Sequence, residues 1–123
     1  MATVELTKEN FQSYVEGNNL LIIDFWAPWC GPCRSFAPTY ETVSEQHEDV
    51  VFAKVNTEEQ QELAGMFSIR SIPTLMIFKE QVIVFSQAGS LPESALQEVI
   101  GKAKDLDMDV VRAEMAKEEQ QSA

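Results

Sequence analysis

Runs of hydrophobic residues along the chain alternate with segments whose apolar positions recur every three or four residues. The first run, Leu20 to Phe25, is apolar at nearly every position, which is typical of a strand buried on both faces. Three later runs also predict strands because β-branched and aromatic residues are frequent in them. These strands are Val50 to Val55, Thr74 to Lys79 and Val82 to Ser86.

Helical spacing marks the segments between the predicted strands. A first helix is predicted from Thr7 to Gly17, and a second from about Cys30 to His47 with a kink at Pro38. Two segments have the form of a capping box and predict the starts of two more helices. They are Thr57-Glu58-Glu59-Gln60 and Ser90-Leu91-Pro92-Glu93.

The predicted order of elements is α, β, α, β, α, β, β, α. Such alternation indicates parallel strands joined by crossover helices, and the short gap at Glu80-Gln81 makes the last two strands an antiparallel hairpin. The sequence therefore predicts an α/β domain whose mixed central sheet has helices on both faces. Because Glu80-Gln81 is not the Asn-Gly pair that tight hairpin turns favour, we expect a wider loop there.

Composition narrows the range of partners. The chain has 123 residues, of which 45% are hydrophobic, and this fits one domain. The net charge of -11 makes nucleic acid an unsuitable partner, since an acidic surface repels phosphate. No apolar run approaches the ~20 residues of a membrane-spanning helix. The residues from Met1 to Glu5 do not resemble a secretory signal, so we expect a cytoplasmic location. We also expect the protein to be a monomer.

The two cysteines, Cys30 and Cys33, are the main chemical signal. A disulfide between them would close so short a loop that the chain-entropy gain is only ~2 kcal/mol. With His47 as the single histidine, a four-ligand zinc site is incomplete, and we expect no metal. Redox chemistry in a reducing compartment remains, beside the alternative of two incidental cysteines.

The position of this pair at a strand-to-helix junction favours redox chemistry. The N-terminus of a helix stabilises a thiolate at Cys30, and Cys33 lies on the same helical face. Pro32 suits a first-turn position, and Gly31 leaves room for a substrate backbone. Because neither residue between the cysteines is cationic, we infer a comparatively stable disulfide and a dithiol that donates electrons.

The segment from Asp24 to Cys33, with Asp24-Phe25-Trp26-Ala27 before Trp29-Cys30-Gly31-Pro32-Cys33, resembles the thioredoxin family. The resemblance covers about residues 4–104. Further positions also follow the family's pattern: Arg34, Pro38, Lys54, Ile72-Pro73-Thr74 and Gly89.

The resemblance implies a thioredoxin-like fold and a protein-disulfide reductase. In that family the residue at Cys30 attacks the substrate disulfide and the residue at Cys33 resolves the mixed disulfide. Asp24 would be a buried proton acceptor for Cys33, and Lys54 would offset its charge. The plainer alternatives are a carboxylate that reaches water at a strand end and an ordinary surface lysine.

The resemblance also implies a substrate-binding surface around the cysteines. Its Ile72–Pro73 peptide would be cis, where sequence alone would predict an ordinary turn. Trp26 would pack beneath the site and Trp29 would form an exposed apolar lip, although both could be simple core aromatics. The residues implied for this surface are Trp29, Gly31, Pro32, Ile72, Pro73, Ala88 and Gly89.

By the same resemblance, the partners would be disulfide-containing target proteins and a flavin-containing thioredoxin reductase that uses NADPH. The chain itself would bind no cofactor, and its redox group would be the Cys30–Cys33 disulfide. Two other functions stay open: a disulfide oxidase or isomerase, and a non-catalytic binding module.

Residues 105–123 lie outside the resemblance, so we divide the chain into a domain at 1–104 and an acidic extension. The extension carries six acidic and two basic residues, hence -4 of the net charge. Its apolar residues Leu106, Val110, Val111 and Met115 have helical spacing. We expect either a frayed, solvated tail or an amphipathic helix that packs on the domain or on a partner. His47 is expected to cap the end of its helix.

Overall fold

A computed structural model describes the backbone of residues 3–122 and the side chains of residues 3–120. Within that part of the chain, five strands and five helices follow one another. In order they are β1 (Thr3–Glu5), α1 (Phe11–Gly17), β2 (Leu20–Trp26), α2 (Gly31–Ser44), β3 (Val51–Asn56), α3 (Gln61–Met66), β4 (Thr74–Lys79), β5 (Val82–Ala88), α4 (Glu93–Asp105) and α5 (Met108–Ser122).

The strands form one mixed sheet in the order β1-β3-β2-β4-β5. β3 runs parallel to β1 and β2, whereas β4 runs antiparallel to β2 and β5. β2 is therefore central, and its register places Asp24 beside Lys54 on one side and Leu75 on the other.

Each face of the sheet is covered by two helices. Along β2, Leu20 and Ile22 point to a core that contains buried residues of α2 and α4. The alternate residues of β2, Leu21, Ile23 and Phe25, point to a second core, formed with α1 and α3. Alternate positions of a strand face opposite sides, so Asp24 shares the α2 and α4 face with Ile22. The predicted fold, a mixed sheet with helices on both faces, is confirmed.

The sequence pattern missed β1. This strand has only three residues and pairs in parallel with β3, Thr3 opposite Phe52 and Glu5 opposite Lys54. Its burial is partial, so no hydrophobic run marks it. A short edge strand of this kind is stabilised by its neighbour rather than by its own residues.

The prediction of a wide loop between β4 and β5 was wrong. Lys79 pairs with Val82, so the hairpin has a two-residue turn. Glu80 and Gln81 adopt positive φ values of 49° and 71°, the backbone of a primed turn that Asn and Gly adopt more readily. The pairing of the two strands imposes this conformation on residues that do not favour it.

Both predicted capping boxes place their helices too early. α3 begins at Gln61 and α4 at Glu93, and neither has a side-chain cap. The Thr57 hydroxyl instead donates to Trp26 O at 3.0 Å, so it ties the loop after β3 to the end of β2. The first helix also starts late, because Thr7 and Asn10 form a side-chain-bonded turn that precedes Phe11.

His47 does not cap a helix, contrary to the prediction. α2 ends at Ser44, and the His47 ring lies beyond it. Its Nε2 is 2.7 Å from Gln97 Oε1, and its Nδ1 is 2.8 Å from Lys104 Nζ. The histidine thus links the loop before β3 to α4.

The C-terminal extension is helical. α5 contacts the domain through Met108, which is buried, and through an ion pair of 2.7 Å between Arg112 and Glu80. The apolar residues that the sequence singled out are largely exposed, Val110 at 57% and Met115 at 41%. The first turns of α5 therefore pack on the body of the protein, at the hairpin end of the sheet.

The junction between α4 and α5 is held by Lys79, the last residue of β4. This lysine is buried, and its Nζ donates to three carbonyl oxygens, those of Ala103, Lys104 and Leu106, at 2.8 to 2.9 Å. These belong to the C-terminal end of α4, where helix carbonyls lack intrahelical partners. No helix described for residues 3–122 is long and apolar enough to cross a membrane.

Candidate functional site

The two cysteines lie where β2 gives way to α2. Cys30 is the N-cap of α2, and Pro32 occupies the first turn, which needs no backbone donor from it. Cys30 and Cys33 form a disulfide. The Cys33 backbone N–H points at Cys30 Sγ, 3.2 Å away. The sulfur of Cys30 therefore lies at the positive end of the helix dipole, where a thiolate is stabilised once the disulfide is reduced.

Asp24 lies in β2, on the face of the sheet that α2 covers, and is 1% exposed. Among the residues that the structure describes, none donates a hydrogen bond to either of its carboxylate oxygens. Burial raises its pKa from 3.8 to about 7, and the positive charge of Lys54 opposes that rise. An acid that titrates near neutrality beneath a dithiol is suited to accept and return a proton.

Lys54 is the neighbour of Asp24 on β3. It is half-buried, and its Nζ stands 4.6 Å from the centre of the Trp26 ring. Trp26 itself is half-buried and packs against the cluster formed by Ala27 and the two cysteines. The structure thus brings Asp24, Lys54 and Trp26 together, with Trp26 packed against the cysteine pair.

The rim of the site carries the residues expected to bind substrate. The Ile72–Pro73 peptide is cis, and Ile72 O lies 3.7 Å from Cys30 Sγ. The Gly89 N–H donates to Pro73 O at 2.8 Å, and Gly89 has a φ of 100°, which favours glycine. Ala88, beside Gly89, is exposed. Together these groups line one side of the cysteine pair.

The other side of the pair is formed by Trp29, Gly31 and Pro32. Trp29 is 65% exposed, which agrees with an apolar lip rather than a core aromatic. Gly31 and Pro32 are exposed, and a β-carbon at Gly31 would meet no atom within 4 Å. These three residues therefore form an open surface beside Cys30 that carries no charge of its own.

Sequence reasoning missed the role of the loop after β3 at this site. The Trp29 indole N–H donates to the Glu58 carboxylate, so a charged residue holds the apolar lip in place. Thr57 fixes the same loop to Trp26 through its backbone N–H, at 2.8 Å, as well as through its hydroxyl. Glu58 was noted only as part of a helix start, and its distance of 29 residues from Trp29 hid the contact.

No group of three or more histidine, cysteine, aspartate or glutamate side chains is arranged to hold a metal ion among the residues that the structure describes. The chemistry of the site rests on the Cys30–Cys33 pair.

Comparisons with known proteins agree with this geometry. A family model described as Thioredoxin matches residues 2–102. A Streptomyces coelicolor protein named "Putative thioredoxin 2" is 58% identical over 121 residues, 98% of this chain and 90% of that protein, so the similarity extends into α5. A thioredoxin of Alicyclobacillus acidocaldarius is 44% identical over 97 residues, 78% of this chain and 92% of the relative.

A solved structure of Plasmodium falciparum thioredoxin superimposes with a TM-score of 0.76 at 37% identity, over 80% of this chain and 97% of that one. The fold, the cysteine pair at the start of α2 and these matches agree with one another. The chain belongs to the thioredoxin family, whose members are dithiol electron carriers that reduce protein disulfides.

Proposed function

We propose that this protein reduces target disulfides with Cys30 as the nucleophile and Cys33 as the resolving thiol. The observation that carries the assignment is the position of Cys30, whose sulfur caps α2 while Cys33 lies one turn inside the helix. Cys30 is also the cysteine beside the exposed Trp29 and the cis peptide. An incoming disulfide reaches Cys30 from that open side.

The reaction transfers two electrons from the dithiol to the substrate. The Cys30 thiolate attacks one sulfur of the substrate disulfide, a mixed disulfide forms, and the other substrate sulfur leaves as a thiolate. Cys33, as a thiolate, then attacks Cys30 Sγ. The second substrate thiolate leaves, and the Cys30–Cys33 disulfide remains.

Asp24 supplies the base for the second step. Cys33 is buried in the disulfide form, and once reduced its thiol must lose a proton before it attacks. Because Asp24 has a pKa of about 7, its carboxylate can take up that proton near neutral pH. Lys54 keeps enough of the carboxylate ionised for this purpose by opposing the effect of burial.

The rim residues orient the substrate chain. Ile72 and Gly89 present backbone groups beside the cysteines, while Trp29 and Ala88 provide apolar contact. The Pro73 side chain is buried, and its carbonyl oxygen accepts the hydrogen bond from Gly89 that shapes the rim. Gly31 and Pro32 leave space for a backbone to approach Cys30. The preferred targets are therefore exposed disulfides in loops or unfolded segments, whose chain can lie along this surface.

A flavin-containing thioredoxin reductase that uses NADPH would return the disulfide to the dithiol, and the cytoplasm is the location that we propose. The chain would work as a monomer with residues 1–104 as the thioredoxin domain and 105–123 as an acidic extension. Since α4 ends at Asp105, that boundary falls in the last turn of the helix.

Paired serine variants test the assignment. Cys30→Ser should abolish reduction of insulin disulfides, whereas Cys33→Ser should accumulate mixed disulfides that a non-reducing gel detects. The two variants are matched, because each removes one sulfur from the same buried cluster. Turnover by Cys30→Ser would refute the mechanism, and mixed disulfides trapped by Cys30→Ser instead of Cys33→Ser would reverse the roles.

The direction of electron flow is tested separately by the reduction potential of the Cys30–Cys33 pair in a glutathione buffer. We expect a value well below the glutathione poise of the cytosol. A value well above it would make the protein an oxidase or isomerase. Function of the double serine variant in the cell would instead indicate a non-catalytic binding module.

A further inference from the structure

Tyr40 brings a hydroxyl group into the core beneath α2. It is the largest fully buried side chain among the residues that the structure describes. Its hydroxyl lies 2.7 Å from Ala53 O and 3.1 Å from Ile22 O. A phenol has one hydrogen to donate, so two backbone carbonyl oxygens of neighbouring strands share one donor.

These two carbonyls lie next to the proton relay. Ile22 precedes Asp24 by two residues on the same face of β2, and Ala53 directly precedes Lys54 on β3. The Tyr40 hydroxyl therefore links β2 to β3 at positions that lie one or two residues before Asp24 and Lys54.

Tyr40 is also tied to the resolving cysteine. It follows Cys33 by seven residues on α2, which is two helical turns, so both side chains lie on the buried face of the helix. The Tyr40 ring is held by aromatic neighbours, with centroids 5.7 Å from Phe36 and 5.4 Å from Phe52. With its ring fixed in this way, the hydroxyl has a defined position relative to both strands.

We propose that the Tyr40 hydroxyl is a positioning group of the redox site, which clamps β2 to β3 beneath α2 and so sets how Asp24 stands relative to Lys54 and Cys33. The inference rests on the proposed role of Asp24 in the resolving step. Tyr40 does not touch the reacting sulfur atoms in this arrangement. It acts through the strands that carry the relay.

The electrostatics of the core are consistent with this role. Burial and the negative charge of Asp24 raise the pKa of Tyr40 well above its ordinary value, so the phenol remains a donor throughout the working pH range. Among the described residues, the charged or titratable groups that interact with Asp24 are Lys54 from β3 and Tyr40 from α2, and the proposed function adds the Cys33 thiol of the reduced protein. β4 presents Leu75, which is apolar.

Loss of the hydroxyl should raise the pKa of Asp24. Without the phenol oxygen, the surroundings of Asp24 become more apolar. Looser packing of β2 against β3 also weakens the electrostatic effect of Lys54 on Asp24. Both effects disfavour the carboxylate. The base then becomes available only at higher pH, and the resolving step slows near neutrality.

Tyr40→Phe tests the proposal because it removes one oxygen and keeps the ring. The measurement is the single-turnover rate at which Cys33 resolves a mixed disulfide at Cys30, followed from pH 5.5 to 9. We expect the midpoint of the profile to move up by about half a pH unit or more, with a roughly threefold slower rate at pH 7. The preceding attack by Cys30 should keep its wild-type rate.

Val43→Ala is the matched control. Val43 is fully buried one turn further along α2, and its truncation destabilises the same core without removing a polar atom. Its profile should coincide with that of the wild type. If Val43→Ala shifts the midpoint as far as Tyr40→Phe does, the effect is general loosening of the core and the proposal fails.

The double variant with Asp24→Asn separates this inference from the proposed function. If Tyr40 acts through Asp24, adding Tyr40→Phe to Asp24→Asn should leave the profile where Asp24→Asn alone puts it. An unaltered resolving step in Asp24→Asn would overturn the relay itself, and this inference with it. If Asp24→Asn slows the resolving step while Tyr40→Phe leaves the midpoint of the pH profile unchanged, only the role of Tyr40 is overturned.

Discussion

Asp24→Asn should make the oxidised protein more stable, and by an amount that depends on pH. Burial raises the pKa of this carboxyl to about 7, against 3.8 as its ordinary value. The unfolded chain therefore ionises Asp24 first as the pH rises. Each pH unit between the two values corresponds to about 1.4 kcal/mol, so ionised Asp24 costs the fold roughly 4 kcal/mol above neutrality.

The sign of the effect follows from the raised pKa. Below about pH 4 the carboxyl is protonated in both states and contributes no pH dependence. Between pH 4 and 7 the unfolded state loses the proton while the folded state keeps it, so wild-type stability falls. Above pH 7 both states are ionised and the penalty becomes constant. The gain from Asp24→Asn should accordingly grow by about 2–3 kcal/mol between pH 5 and pH 8.

Urea unfolding of the oxidised wild type and variant across this pH range measures the difference directly. The oxidised form is used because its two cysteines form a disulfide and do not titrate. Asp105→Asn serves as control, since it removes an exposed carboxylate at the end of α4. A stability difference for Asp24→Asn that stays constant from pH 5 to pH 8 would refute the raised pKa and its use in the relay.

Other predictions concern the hairpin and the extension. Lys79→Met should destabilise the protein by about 3 kcal/mol in urea unfolding, because three carbonyls lose a buried charged donor, whereas exposed Lys102→Met should change little. Gln81→Gly should raise the free energy of unfolding by about 1 kcal/mol, since the φ of 71° no longer strains a β-carbon; an unchanged melting temperature would contradict this. Arg112→Ala should cost less than about 1 kcal/mol, since its ion pair with Glu80 is solvent-exposed, and a larger loss in thermal unfolding would show that α5 depends on that pair.

The parts of the structure that the sequence predicted are those set by short-range patterns. The strand from Leu20 and the cysteine pair after it are neighbours along the chain, so their junction could be located without tertiary information. The same holds for Asp24, which interrupts an apolar run. Its interpretation as a buried acid implied a raised pKa. The value itself could not be predicted, because it depends on how completely α2 covers the carboxyl and on where Lys54 stands across the sheet.

Contacts between distant segments escaped prediction for the same reason. Lys79 resembled an ordinary strand end, and only the packing of α4, some 24 residues later, brings carbonyl oxygens to it. Glu58 likewise resembled part of a helix start until the fold placed it beside Trp29. In both cases a polar side chain finds its partner through the topology of the sheet rather than through its neighbours in sequence.

Lys79, Tyr40 and Asp24 are all buried polar groups, but they differ in whether their burial is compensated by hydrogen bonds. Lys79 is satisfied by three carbonyl oxygens and Tyr40 by two, as expected of polar groups in a core. Asp24, equally buried, has no hydrogen-bond partner for either oxygen within the described part of the chain. A single hydrogen-bond donor beside it would stabilise the carboxylate and lower its pKa, and the acid would then hold its proton too weakly to serve as a base near neutral pH. The proposed relay needs a carboxyl that titrates near neutral pH, and Asp24→Asn should therefore gain stability at the same site where it slows resolution by Cys33.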